Sequence, residues 1–286
     1  MRAKRILKCD CELGEGPLVN GETLYFVDLS GKRIHACKPD GSDWKSWESD
    51  NYVSAFARTD TERLLLASDN ALEMFDPVTG QREKLLSLEA DNPITRSNDG
   101  RADRQGGFWI GTMGLSAEPG AGSIYRFYLG ELRLLRSEIT ITNAICFSPD
   151  GTIAYFADTA VQKVFKWALD ANGWPVGEPE VFHDRTDLEG APDGAVIDRD
   201  GAMWLALWGS SNVIRISPQG EVIDEIDLPA SLVTCPAFTP DLKGLLITTA
   251  SVNMTAEEHA DEPDAGCVFG AKITVPGIEE PIVRIV

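Results

Sequence analysis

The residues Thr142-Asn143-Ala144-Ile145-Cys146-Phe147-Ser148-Pro149-Asp150-Gly151-Thr152-Ile153-Ala154-Tyr155-Phe156-Ala157-Asp158 decide the fold. A short apolar run meets a Pro-Asp-Gly turn, and a second apolar run follows. That pattern predicts a tight β-hairpin with a polar Asn at the mouth of its first strand. The same pattern recurs around Leu24–Asp28, Leu64–Ser68, Phe108–Thr112, Met203–Leu207 and Leu245–Thr249. Taken in order with Ala154–Asp158, the second runs start 40, 44, 46, 49 and 42 residues apart. Each follows a turn, such as Asn20-Gly21 or Asp200-Gly201, and each precedes a third segment of strand character.

A four-stranded unit recurring at that period is the signature of a β-propeller blade. Six units use up the chain, and no segment shows convincing amphipathic helix periodicity. The expected architecture is therefore all-β: a six-bladed β-propeller of four-stranded antiparallel blades around a central channel. Residues 1–286 are expected to form this single domain. Ring closure is expected to use Ile6–Cys9 or Ile282–Val286 as an outer strand beside the other terminus.

The inner strand of each blade lines the channel. Counting back nine to eleven residues from each second run reaches its mouth, at Glu15, Ser54, Asn98, Asn143, Asp193 and Cys235. Repeat register alone thus gathers two carboxylates and two carboxamides around one axis. Glu15 sits between Gly14 and Gly16, and Asp193 between Pro192 and Gly194, so the backbone at both is pinned or closely approached. Arg96 lies just upstream of Asn98 and offers a planar fork suited to a carboxylate or a polarised carbonyl. Asp158 ends a strand on the same rim, where it contacts substrate or supports a ligand. Trp208 is placed to stack on a bound molecule. The Gly-rich stretch Gly111–Gly122 is expected to form a pocket wall, and the acidic insert Ser251–Gly266 a lip.

Glu15, Asn143 and Asp193 are all oxygen donors. Such a set suits one hard divalent cation, calcium first, with magnesium or manganese next; zinc is less natural without His or Cys. Three protein ligands leave positions open, which is the pattern of a catalytic rather than a structural ion. An open ion beside a carboxylate supports metal-assisted hydrolysis, with Asp193 as general base.

Composition narrows the partners. The net charge of −19 argues against nucleic acid and anionic membrane. No apolar stretch approaches the roughly 18–20 residues of a membrane span, and the basic start MRAKRILKCDCELGEG has no secretory h-region. The six cysteines form no C-x-x-C pair and read as free thiols, so a cytoplasmic location is expected. The three histidines are scattered, which leaves a Ser-His-Asp triad unsupported.

Five motifs together carry a resemblance. Leu13-Gly14-Glu15-Gly16-Pro17, Arg96-Ser97-Asn98-Asp99-Gly100, Gly111-Thr112-Met113, Thr142-Asn143-Ala144 through Gly151, and Pro192-Asp193-Gly194 resemble, in order, the gluconolactonase / regucalcin / senescence-marker-protein family. The resemblance implies a six-bladed propeller that binds one divalent metal and opens sugar lactones. It implies that Glu15, Asn143 and Asp193 are metal ligands, Asp193 the base, and Arg96 and Asn98 substrate contacts. Animal members carry an acidic residue shortly after Gly-Thr-Met that touches substrate hydroxyls; here Gly114 and Leu115 follow Met113. The expected substrate is therefore a sugar-acid lactone, including one whose second carboxylate pairs with Arg96. The rivals are a non-catalytic calcium-binding regulatory propeller, a propeller esterase or phosphotriesterase, and a protein-interaction propeller.

Overall fold

In a computed structural model describing residues 1–286, the opening stretch is a hairpin of Thr142–Phe147 and Ile153–Asp158. Its turn is held by Asp150 Oδ1, which accepts from the Ser148 hydroxyl at 2.7 Å and from Thr152 N at 3.1 Å. Lys163–Ala168 and Glu180–Asp184 complete a four-stranded antiparallel sheet. Five further sheets repeat this order. From the channel outward their strands are termed A to D.

Every second apolar run becomes a strand B, buried along essentially its whole length, while the D strands are largely exposed. The cause is the stacking of blades. Strand B has a neighbouring blade against each face, so both of its alternating side-chain rows must be apolar, and the run reads as continuous rather than alternating. In blade one, Leu24 and Phe26 enter the gap with blade six, whereas Tyr25 and Val27 enter the gap with blade two. The core accordingly falls into six separate apolar clusters, one in each gap between blades.

Closure uses both termini, differently from each other. Lys4–Leu7 pairs antiparallel with Val268–Lys272 and supplies strand D of blade six, close to the segment expected for that role. Ile282–Val283 is not an outer strand. It lies parallel to strand A of blade two, Val53–Thr59, on the channel side. The C-terminal tail thereby crosses one end of the channel. Arg101 donates to the Glu280 carboxylate there, Arg58 Nη1 to the Glu280 carbonyl at 3.1 Å, and Arg104 Nη1 to the Glu279 carbonyl at 2.8 Å.

One short helix, Ala256–Asp261, interrupts the all-β pattern within the acidic insert. Its capping box, Thr255 with Glu258, forms it locally, and none of its residues is buried. An amphipathic pattern was absent because this helix has no core-facing side. No helix is long and apolar enough to cross a membrane.

Candidate active site

All six A strands break register near the mouth of the channel. The shifts fall between Glu15 and Leu18, Val53 and Ala55, Ser97 and Gly100, Asn143 and Cys146, Pro192 and Ala195, and Val233 and Pro236. A bulge turns a side chain out of the pleat, so the repeated irregularity aims residues at the axis. Gly16 follows Glu15 with φ of +53°, and a Cβ there would lie 2.4 Å from the Ser54 carbonyl oxygen. At Gly194 a Cβ would lie 2.3 Å from Cys235 Sγ, so blades five and six touch beside Asp193.

The bulges open onto a cavity of about 530 Å³. Glu15, Arg96, Asn98, Asn143 and Asp193 all line it, together with Trp208. Its apolar wall comes from Leu13, Leu29, Met113, Leu115, Ile141 and Val252, with Tyr52 beside them. The Gly-rich loop and the acidic lip thus contribute Met113, Leu115 and Ala117, and Val252 and Asn253. A larger hollow of about 910 Å³ lies along the outer edge of blade six. Its only carboxylate is Asp241 among several lysines, so the convergent oxygen chemistry belongs to the smaller cup.

A hydrogen-bond chain holds the cup in shape. Arg96 Nη1 donates to the Ser97 carbonyl at 2.8 Å and to Asn98 Oδ1 at 2.7 Å. Asn98 Nδ2 donates to the Thr142 carbonyl at 2.8 Å and to Asn143 Oδ1 at 3.1 Å. Asn143 Nδ2 donates to Thr159 Oγ1 at 2.9 Å, and that hydroxyl donates to the Pro192 carbonyl at 2.7 Å. The chain links blades three, four and five and ends one residue before Asp193. It leaves Asn143 Oδ1 a second lone pair.

The electrostatics are unusual for a folded interior. Burial pushes the Glu15 carboxyl up to about 8; the Gly16 N–H opposes the shift, and Asp99 adds to it. Burial pushes Asp193 well above the carboxylate range too, reinforced by Glu15 and Asp99. Glu15 keeps some surface open, but only toward the cup. The buried ion pairs of the chain lie elsewhere, at Arg82–Glu73, Arg101–Glu280, Arg126–Asp103 and Arg215–Asp198, and none includes Glu15 or Asp193. Arg96 acts on them only from beyond ion-pair range. Burial also lowers Arg96 to about 10, against the raising influence of Glu15.

Asp158 does not line the cup. Its oxygens accept from Thr140 N at 3.0 Å, Ile141 N at 3.1 Å and Ala160 N at 3.2 Å. It holds the segment that leads into Asn143. Ser54 of blade two bonds Ser97 of blade three at 2.8 Å, and Cys235 is a buried thiol that burial drives well above its ordinary value. Asp99 is a third carboxylate near Glu15 and Asp193, where the register count found two. Its Oδ2 accepts from Ile145 N at 2.6 Å. The bulge between Ser97 and Gly100 is the signal, because it accommodates two residues where regular pairing takes fewer.

The family profile described as SMP-30/Gluconolactonase/LRE-like region matches residues 13–251. The chain belongs to the SMP-30/gluconolactonase/LRE-like family. Two curated relatives are an L-arabinolactonase of Azospirillum brasilense, 36% identical over 93% of this chain and 90% of the relative, and a 6-deoxy-6-sulfogluconolactonase of Pseudomonas putida, 31% identical over 98% and 97%. Among solved structures, a calcium-binding protein, regucalcin, from Agrobacterium tumefaciens superposes with a TM-score of 0.96 at 38% identity, covering 99% of this chain and 98% of that one. In this member of the SMP-30/gluconolactonase family, Leu115, two positions after Gly-Thr-Met, is apolar wall. The nearby Glu118 turns its Oε2 to the Ser116 N–H, at 3.0 Å, within its own loop.

Proposed function

We propose that this chain hydrolyses the lactone ring of a sugar acid to the free acid in the cup at the channel mouth. One observation carries the reading: two desolvated carboxylates and a carboxamide oxygen face a single cavity, and no basic side chain pairs with either carboxylate. Left alone that arrangement is costly. A divalent cation offsets it, and the all-oxygen donor set of Glu15, Asn143 and Asp193 fits a hard ion, calcium above zinc. When bound, such an ion supplies electrophilic activation of the lactone carbonyl and offsets charge on its oxygen.

The remaining work falls to the chain. Asp193 takes the proton of the attacking water through a carboxylate oxygen. Asn98, held between Arg96 and Asn143, fixes the rim on which the substrate hydroxyls rest. Arg96 uses Nη1 on Ser97 and Asn98, and its other N–H groups remain to pair with the substrate carbonyl or with a second anionic group. Trp208 and the Met113–Leu115 wall cover the apolar face of the ring. The two curated relatives are named for a pentonolactone and a sulfonated aldonolactone, which supports the reaction class and a tolerance at the far end of the substrate.

A lactone panel followed by acid release tests the proposal. Turnover of sugar lactones that EDTA abolishes and calcium, magnesium or manganese restores is the expected result. Calcium binding without turnover of any lactone would replace it with the regulatory reading. Equal or better turnover of uncharged aldonolactones than of those bearing a second carboxylate would remove the second-anion role of Arg96.

A further inference from the structure

The gap between blades one and six is the seam where the ring closes, and it has the smallest apolar cluster of the six. Seven buried residues fill it, against nine to fourteen in the others. Three of the seven are thiols: Cys9, Cys11 and Cys37. The segment carrying Cys9 and Cys11 follows the closing strand and wedges into the seam, with Cys11 N donating to the Gly266 carbonyl at 2.9 Å. Here a Cys, an Asp and a His converge. Ligand-capable atoms of Cys11, Asp28 and His35 all lie within 4.8 Å of one another, and all three residues are buried.

A hydrogen-bond reading leaves part of this cluster unexplained. His35 is 2% exposed; its Nδ1 accepts from Trp44 Nε1 at 3.3 Å, while its Nε2 is buried with no partner. An orphan polar atom in an apolar gap is costly unless something else binds there. Asp28 is oriented by the N–H groups of Leu13 and Gly31, which its Oδ1 accepts at 2.9 and 3.1 Å. Cys9 Sγ lies 3.5 Å from Cys11 Sγ. Two sulfurs on one tetrahedral zinc, each bound at about 2.3 Å, sit about 3.8 Å apart. Cys9 lies outside the 4.8 Å grouping of the other three, and its thiol, which donates to the Gly266 carbonyl at 3.2 Å, must turn toward them to bind.

We infer that Cys11, His35 and Asp28, with Cys9 as fourth ligand, form a second and structural metal site that takes a borderline-soft dication of the zinc type. It is separate in place and chemistry from the all-oxygen cup. Thiolate, imidazole and carboxylate donors select zinc over calcium or magnesium. Loading displaces the thiol protons of Cys9 and Cys11 to solvent. The ion ties the N-terminal wedge to strands B and C of blade one and so clips the ring shut where apolar packing is thinnest.

The test uses the full chain, stripped with EDTA and titrated with cobalt(II) as a spectroscopic stand-in for zinc. The expected result is one equivalent giving a thiolate-to-cobalt charge-transfer band with tetrahedral ligand-field bands. Zinc should bleach it and raise the melting temperature. The band should persist in Asp193→Asn, which disables the cup, and weaken in both Cys11→Ser and His35→Gln. A wild-type titration with no thiolate band, or a Cys11→Ser protein with the full band, overturns the inference. Should Cys11→Ser fail to fold, the wild-type spectrum decides alone.

Discussion

Asp193→Asn separates the catalytic from the structural consequences of the cup. The substitution keeps shape and volume but removes the charge and the proton acceptor. Asp193 is 6% exposed and has no ion pair; burial raises its carboxyl first, and repulsion by Glu15 and Asp99 adds to it. Loss of a positioned general base costs about 10²–10⁴ in rate, or roughly 3–5 kcal/mol of transition-state stabilisation. Loss of a ligand charge weakens ion binding as well, so calcium titration should show a fall in affinity. The metal-free fold should respond in the opposite sense. Removing a buried carboxyl that Glu15 and Asp99 also repel relieves strain, and a gain of about 1–2 kcal/mol is expected for relaxing an active-site conflict of this kind. At roughly 2–4 °C per kcal/mol that is a rise of about 2–8 °C in melting temperature. Acid release at saturating lactone, with thermal melts in EDTA and in calcium, reads both effects. Activity within threefold of wild type would refute Asp193 as base. A lower melting temperature in EDTA would refute the stored repulsion.

Four further outcomes follow from particular contacts. Arg96→Lys keeps a charge but loses the fork that serves Ser97 and Asn98, and kcat/KM should fall at least tenfold while the fold persists by circular dichroism. Asp103→Ala strands Arg126, whose guanidinium is fully buried and 2.6 Å from the Asp103 carboxylate; about 3–5 kcal/mol of stability should be lost in a urea titration. Glu280→Ala leaves Arg101 without its partner at the tail-covered end of the channel, and a loss of about 2–4 kcal/mol should appear with little change in KM for the lactone. His183 is held below the usual histidine value mainly by burial, with its Nδ1 on the Gly220 carbonyl and Arg185, Asp184 and Glu221 around it. The unfolded chain then binds the extra proton first, so the His183 contribution declines as pH falls below about 6.5, and His183→Gln should gain stability relative to wild type over that range in melts.

Much of the cup was legible because it follows from register. Glu15, Asn98, Asn143 and Asp193 stand nine to eleven residues before apolar runs that can only be strand B, and that count alone brought them to one mouth. Trp208 was legible from its place at the end of a strand B. Asp158 occupies an equivalent end position and looked the same in sequence. Only its three backbone partners turn it away from the cup. Asp99 was missed because alternation puts neighbours on opposite faces, and the bulge after Ser97 suspends that rule.

The sequence by itself determined the number of blades, the order of their strands and the type of donor gathered at the axis. Those features are local: each blade repeats the same short-range hairpins and doubly buried runs, and the repetition is visible in one dimension. Tertiary structure alone decided which terminus supplies the outer strand and which crosses the channel. It also decided that two carboxylates would share a cavity without a basic partner, and that thiols, a histidine and an aspartate would meet at the seam. Ring closure depends on contacts between residues more than two hundred positions apart, such as Arg5 with Phe269 and Cys11 with Gly266. Such contacts form only when the ring closes, and no local pattern of polar and apolar residues records them.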